Sequence, residues 1–154
     1  MTIERFAPIV PATLHWRADG TLYCPEYADV YSSASGTLEQ ARHVFLGGNG
    51  LPDRWRGTGR FTILETGFGA GLNFLATWQA WMQHAPADAR LHFVSCELNP
   101  FARSDLDNIH VRFPGLADFS RELCERYPPL IPGFHRLHFA RNRVSLTLLL
   151  GDVL

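Results

Sequence analysis

Three cysteines in 154 residues are too few to build a disulfide frame. Cys24, Cys96 and Cys124 are odd in number, far apart and form no Cys-x-x-Cys pair. That argues against a zinc site as well, and for free thiols in a reducing compartment. Charge of one sign is also missing. Fourteen Arg and Lys stand against fifteen Asp and Glu, a formal net charge of −1. Composition therefore supplies no general attraction for nucleic acid or membrane, and an RNA partner must be held by a local patch. No apolar run approaches the roughly 20 residues that span a bilayer. The start, Met1-Thr2-Ile3-Glu4-Arg5 with Pro8 and Pro11, has no signal-peptide core. Neither an internal repeat nor a low-complexity segment is present. What remains is 46% hydrophobic and 19% charged, the make-up of an ordinary globular domain with a core of its own, expected in the cytoplasm.

The chain changes rhythm near residue 60. Before it, Leu14 to Arg17 and Thr21 to Cys24 are strand-like runs around Ala18-Asp19-Gly20, a loop that suits a hairpin because its last residue is glycine. Thr37 and Gln40 have capping-box spacing, and Leu38, Ala41, Val44 and Phe45 repeat at helical period up to a stop at Gly47-Gly48. Residues 1–60 are thus expected to form an N-terminal extension of hairpin plus helix. Beyond it the pattern predicts a strand over Phe61–Leu64, a glycine loop and a helix from Leu72 to about His84. A strand over Leu91–Cys96 and one or two helices between Ala102 and Tyr127 follow, then strands over His135–Ala140 and Val144–Leu150. Strands alternating with crossover helices predict a parallel α/β sheet, Rossmann-like, over residues 61–154.

The chemistry is concentrated in Glu65-Thr66-Gly67-Phe68-Gly69-Ala70-Gly71. Gly67, Gly69 and Gly71 let the backbone turn sharply and let a ligand approach where a Cβ would stand, and the helix that follows points N–H groups at that space. The alternative is a structural turn. A dinucleotide fingerprint would need a third glycine where Leu72 stands, which makes an NAD-dependent oxidoreductase a poor fit. The spacing E-x-G-x-G-x-G is instead that of class I methyltransferases, whose cofactor has no pyrophosphate to cradle. Glu65 is placed to meet positive charge. Glu97, at the end of the next strand, is placed to accept ribose hydroxyls or is simply a solvated carboxylate. Asp152, after Gly151, is placed to receive the exocyclic amine of adenine. All three acids fall at the carboxyl ends of parallel strands, where open α/β sheets bind ligands.

Asp29-Val30-Tyr31-Ser32-Ser33, Val44-Phe45-Leu46-Gly47-Gly48-Asn49, Leu51-Pro52-Asp53-Arg54-Trp55 and the run from Glu65 to Phe74 occur in that order. Together they resemble the methyltransferase domain of the MnmC proteins of tRNA 5-methylaminomethyl-2-thiouridine biosynthesis and their stand-alone relatives. The resemblance extends from about Trp16 onward. It implies a class I methyltransferase fold, S-adenosylmethionine as cofactor, and methylation of the aminomethyl nitrogen on the wobble uridine of tRNA. It also implies cofactor contacts from Tyr31, Phe68 and Asn73 beside the loop glycines and the three acids, with Asp29 near the substrate. Ser32 departs from the family's phenylalanine. The family continues past Gly-Asp with an Asp-x-Phe-x-Pro strand bordering the target amine, so the catalytic segment is expected beyond Leu154 and the chain reads as the first half of the sheet. A fused FAD-dependent oxidoreductase domain is implied only for the bifunctional form.

With the catalytic edge expected elsewhere, Phe61–Leu64 is expected at an exposed edge of the sheet. A non-catalytic fragment that binds cofactor or a partner stays open as an alternative. Trp55 with Arg54 and Arg56 is the candidate RNA contact, against ordinary surface. Arg136, Arg141 and Arg143 cluster in sequence around one turn, where they touch phosphate or solvent. Trp78 and Trp81, at helical spacing, read as core, and Cys96 as a buried thiol. His135 and His138 fall on opposite faces of a strand, which argues against a shared metal. Direct methyl displacement by a neutral amine needs positioning more than a general base.

Overall fold

The computed structural model describes residues 7–152 except Gly20, Tyr27, Ser32 and Ser33, and gives only the backbone for several others, Asp29–Tyr31 among them. The described residues form two sheets. The smaller has order β1-β2-β3, antiparallel, from His15–Trp16 (β1), Leu22–Cys24 (β2) and Asp29–Tyr31 (β3). The hairpin falls where the sequence places it, closed by Arg17 N–H donating to Thr21 O at 2.8 Å, and the pairing of Asp29–Tyr31 adds a third strand.

The helix that follows starts earlier and ends later than its sequence signals predict. It runs as α-helix over Ala34–Gln40 (α1), as a π-type stretch over Ala41–Leu46, and as a 3-10 turn over Gly47–Asn49. Thr37 therefore lies inside the helix instead of capping it. The stop is Gly50, whose φ of 67° takes the left-handed conformation that ends a helix. Gly47 and Gly48 stay within the helical path.

The larger sheet carries the fold. Its order is β4-β5-β7-β6, built from Arg60–Thr66 (β4), Arg90–Glu97 (β5), Gly133–Phe139 (β6) and Val144–Leu150 (β7). Strands β4, β5 and β7 are parallel, and β6 joins β7 antiparallel through a tight turn. In that turn Ala140, Arg141 and Asn142 all have positive φ, 48°, 54° and 66°. The crossovers are Leu72–His84 (α2) between β4 and β5, and Arg103–His110 (α3) with Ala117–Arg126 (α4) between β5 and β6.

Register explains which side chains form the core. Phe61, Leu91, Val144 and Phe139 lie in one row across the sheet, and Ile63, Phe93, Leu146 and Leu137 in the next. This face meets α2, which buries Leu72, Phe74, Leu75, Ala76, Thr77, Trp78 and Trp81. Trp78 lies 4.6 Å from Phe139 between ring centroids, and Phe74 stands edge-on to Phe93 at 5.3 Å. Such pairs contribute about 1 kcal/mol each beyond their buried area. Trp78 and Trp81 are core, as their spacing implies.

The other face differs. There Leu64 and Phe134 are 74% and 76% exposed. Between them Arg136, Thr147 and His92 form a polar group, with His92 Nε2 2.8 Å from Thr147 Oγ1 and Arg136 Nε donating to Thr147 at 3.1 Å. Among the described residues β4 pairs with β5 alone and so stands at the sheet edge, as the sequence reading has it. Cys96 points to this second face and is half-buried, not fully buried as its apolar strand suggests.

Candidate functional site: the carboxyl ends of three parallel strands

The parallel register brings the predicted acids to one end of the sheet. Glu65 is level with Ser95, Glu97 with Leu150, and Asp152 follows two residues later. Gly151 N–H donates to Glu97 O at 2.9 Å, so the chain leaving β7 passes directly beside the end of β5. Asp152 is exposed there.

The glycine loop is built as its sequence suggests. Gly67, Gly69 and Gly71 have φ of 84°, 53° and 72°, which a side-chain-bearing residue adopts at a cost of about 1–2 kcal/mol. Each does a different job. At Gly71 a Cβ would stand 2.7 Å from Cζ of Phe68 and 3.5 Å from Leu123, so this glycine lets the loop close on the core. At Gly67 and Gly69 a Cβ would meet no atom within 4 Å. Their outer side is open to a ligand. Phe68 is buried with its ring under Gly71, so it shapes the loop from beneath and presents no ring to that side.

Glu97 is fixed against this loop. Its Oε2 accepts the N–H of Gly69 at 2.8 Å and its Oε1 accepts that of Asn99 at 2.9 Å. A carboxylate accepts hydrogen bonds only, so Glu97 at this strand end matches the chemistry of a ribose hydroxyl. Glu65 sits deeper. Asn73 Nδ2 donates to its Oε1 at 2.9 Å and Ser95 Oγ to its Oε2 at 2.8 Å. Burial pushes its pKa up to about 7, the two hydrogen bonds oppose that rise, and Glu97 adds to it. A cation arriving beside Glu65 would favour its ionised form. Two carboxyl groups and an exposed acid, all acceptors, beside an open glycine cradle fit a cationic, ribose-bearing ligand.

The backbone of Asp29 and Tyr31 forms β3, but the side chains that the resemblance assigns to the site lie outside the described residues. Trp55 requires a correction. It is fully buried, packed edge-on to Trp81 at 5.0 Å and to Phe61 at 5.9 Å. A ring inside the core offers no face to a base, so Trp55 is not an RNA contact. Arg54 remains exposed, donating to Asn49 O at 3.0 Å and lying 5.6 Å from the Phe61 ring. Arg136, Arg141 and Arg143 do not act together. Arg136 lies on the open sheet face and Arg143 Nη2 donates to Pro86 O at 3.0 Å.

Three residues escaped the sequence reading. Ser95 interrupts the apolar alternation Leu91, Phe93, Ser95 on one face of β5, a polar break that signals a partner across the sheet. Asn99 binds Glu97 through its N–H and Val10 O through its side chain, at 3.0 Å. His110 closes a helix whose other buried residues are Leu106 and Ile109, and it reaches Ala70 in the glycine loop.

Among curated relatives, the chain is 57% identical over 145 residues to the tRNA 5-methylaminomethyl-2-thiouridine biosynthesis bifunctional protein MnmC of Azoarcus sp. (strain BH72). It is 56% identical to MnmC of Aromatoleum aromaticum and 52% to that of Burkholderia multivorans. These matches take in 94–95% of the chain but 23% of the relatives' own length. A crystal structure of MNMC2 from Aquifex aeolicus superposes with a TM-score of 0.62 at 22% identity, covering 93% of this chain and 43% of that one. This last likeness shows a shared fold. No family model matches the chain.

Proposed function

From a chain that matches one domain of MnmC over 94% of its length, we propose a class I S-adenosylmethionine-dependent methyltransferase unit acting on the wobble uridine of tRNA. Residues 61–152 supply the cofactor-binding strands of its sheet, preceded by the hairpin and helix of the N-terminal part. The observation that carries this reading is the hydrogen bond from Gly69 N–H to Glu97 Oε2 at 2.8 Å, beside a loop whose outer side is open. It joins the glycine turn after the first parallel strand to the acid that ends the second, the pairing that holds the ribose in nucleotide-binding α/β sheets.

S-adenosylmethionine, when bound, supplies the methyl group to the aminomethyl nitrogen of 5-aminomethyl-2-thiouridine. Glu97 holds the ribose hydroxyls and Asp152 receives the adenine amine. Glu65 faces the positive amino-acid end, kept in place by Asn73 and Ser95. The loop glycines admit the ligand to the backbone, with Tyr31 and Asp29 of β3 bordering it. No described side chain is needed as a general base, because an amine nucleophile attacks in its neutral form. The relatives' name places them in tRNA modification, which supports tRNA as partner and the cytoplasm as location. No described helix is long and apolar enough to cross a membrane. The relatives are named bifunctional and the chain spans 23% of their length, which is compatible with the fused FAD-dependent domain that the resemblance implies for that form.

Transfer of labelled methyl from S-adenosylmethionine to tRNA carrying the aminomethyl group tests the reading. Label on the wobble nucleotide that disappears in Glu97→Ala supports it. Label on another nucleotide, or undiminished transfer by Glu97→Ala, contradicts it.

A further inference from the structure

His110 and Cys124 form a buried polar pair that the cofactor reading leaves unused. His110 ends α3 and Cys124 lies in α4, and both are almost completely buried. The ring's Nε2 is 2.7 Å from Ala70 O, and its Nδ1 is 3.6 Å from Cys124 Sγ. A carbonyl oxygen only accepts, so Nε2 carries the proton and donates. In the neutral ring Nδ1 then holds a lone pair that faces the Cys124 thiol. Asp107 also shares in the thiol's hydrogen bonding, so the Ala70 carbonyl is what fixes the ring's tautomer. Burial lowers the pKa of His110 against the opposing pulls of the Ala70 hydrogen bond and Asp107, while burial and Asp107 push that of Cys124 up to about 12.

The acceptor matters because of where it sits. Ala70 lies between Gly69, whose N–H holds Glu97, and Gly71, whose left-handed turn opens α2. Ala70 is itself buried. Without the imidazole its carbonyl would face the α3–α4 layer unpaired, at a cost comparable to a lost hydrogen bond. The Phe68 ring and Leu123 of α4 support Gly71 from the same side, but only by contact. His110 is the polar tie among these supports.

We propose that His110, its tautomer set by the Ala70 carbonyl, is a positioning residue that pre-forms the Gly67–Gly71 loop for the cofactor. This rests on the cofactor reading above. A loop held in its bound shape does not have to be ordered by the ligand, so the tie raises affinity without touching the ligand.

The test compares His110→Leu, which keeps bulk and loses the donor, with His110→Gln, which retains an N–H donor. S-adenosylmethionine affinity is measured by calorimetry and amide exchange over residues 67–71 by mass spectrometry. His110→Leu is expected to weaken binding about tenfold, the effect of one lost buried hydrogen bond, and to speed loop exchange. His110→Gln should recover most of both. Equal affinity and exchange in all three proteins, or equal losses in both variants, would overturn the proposal. Absence of binding even in the wild-type chain would sink the cofactor reading alone. The exchange comparison would still decide the tie, faster loop exchange in Leu than in Gln supporting it and equal exchange overturning it. Should His110→Leu fail to fold, His110→Phe, which keeps a ring and loses the donor, replaces it. Faster loop exchange is expected there, and unchanged exchange overturns the proposal.

Discussion

Asn73 Nδ2 donates to Glu65 Oε1 at 2.9 Å, tying the first turn of α2 to the end of β4 across the glycine loop. Ser95 takes the other carboxyl oxygen from β5. Glu65 is thereby held inside the sheet end with both oxygens partnered, and its burial raises its pKa to about 7. The carboxyl group is built into the scaffold before any ligand arrives.

A pH dependence follows from that burial. The ordinary value is 4.5 and the folded value about 7, so between them the folded chain holds a proton that the unfolded chain has released. Stability therefore falls as pH rises through this window, by about 3 kcal/mol, and is flat with respect to this group above it. Glu65→Gln keeps an acceptor for Asn73 and cannot ionise. It is expected to melt higher than the wild-type chain at about pH 8 and close to it at about pH 5. Thermal melts of both proteins at both pH values check this, and a difference independent of pH would contradict it.

Gly71 is expected to tolerate no side chain. Gly71→Ala places a Cβ 2.7 Å from the Phe68 ring at a φ of 72°, and the combined clash and strain should cost about 2–4 kcal/mol. Gly115→Ala, where a Cβ meets open space, is the control and should change stability little. Denaturant unfolding distinguishes them.

Trp55 is expected to matter for folding and not for RNA. Trp55→Ala removes a fully buried ring and should destabilise by about 3–5 kcal/mol. The indole N–H has no acceptor among the described residues, so Trp55→Phe should fold and bind tRNA with unchanged affinity. A large loss of tRNA binding by a folded Trp55→Phe, read by filter binding, would return this residue to the RNA surface.

How much of this was legible depends on whether a feature is local. The glycine loop, the span of α2 and the two acids at strand ends are written in consecutive residues, and they appear where spacing places them. The hairpin is legible for the same reason. Features that depend on what packs against a residue were not. Trp55 sits between Arg54 and Arg56 in sequence and looks like surface, yet its ring turns inward to Trp81 and Phe61. Thr37 and Gln40 fit a capping box, yet the helix begins three residues earlier and passes through it. His110 and Ala70 are 40 residues apart, and only the crossover brings them together.

The central claim is that the glycine loop and Glu97 hold S-adenosylmethionine. Isothermal titration of the folded chain with S-adenosylmethionine, with NAD as control and Gly69→Val as the loop-filling variant, tests it most directly. Saturable binding of S-adenosylmethionine, none of NAD and loss of binding in Gly69→Val are predicted. A folded chain that gives no heat with S-adenosylmethionine, or binds it equally well with Gly69→Val, would contradict the account.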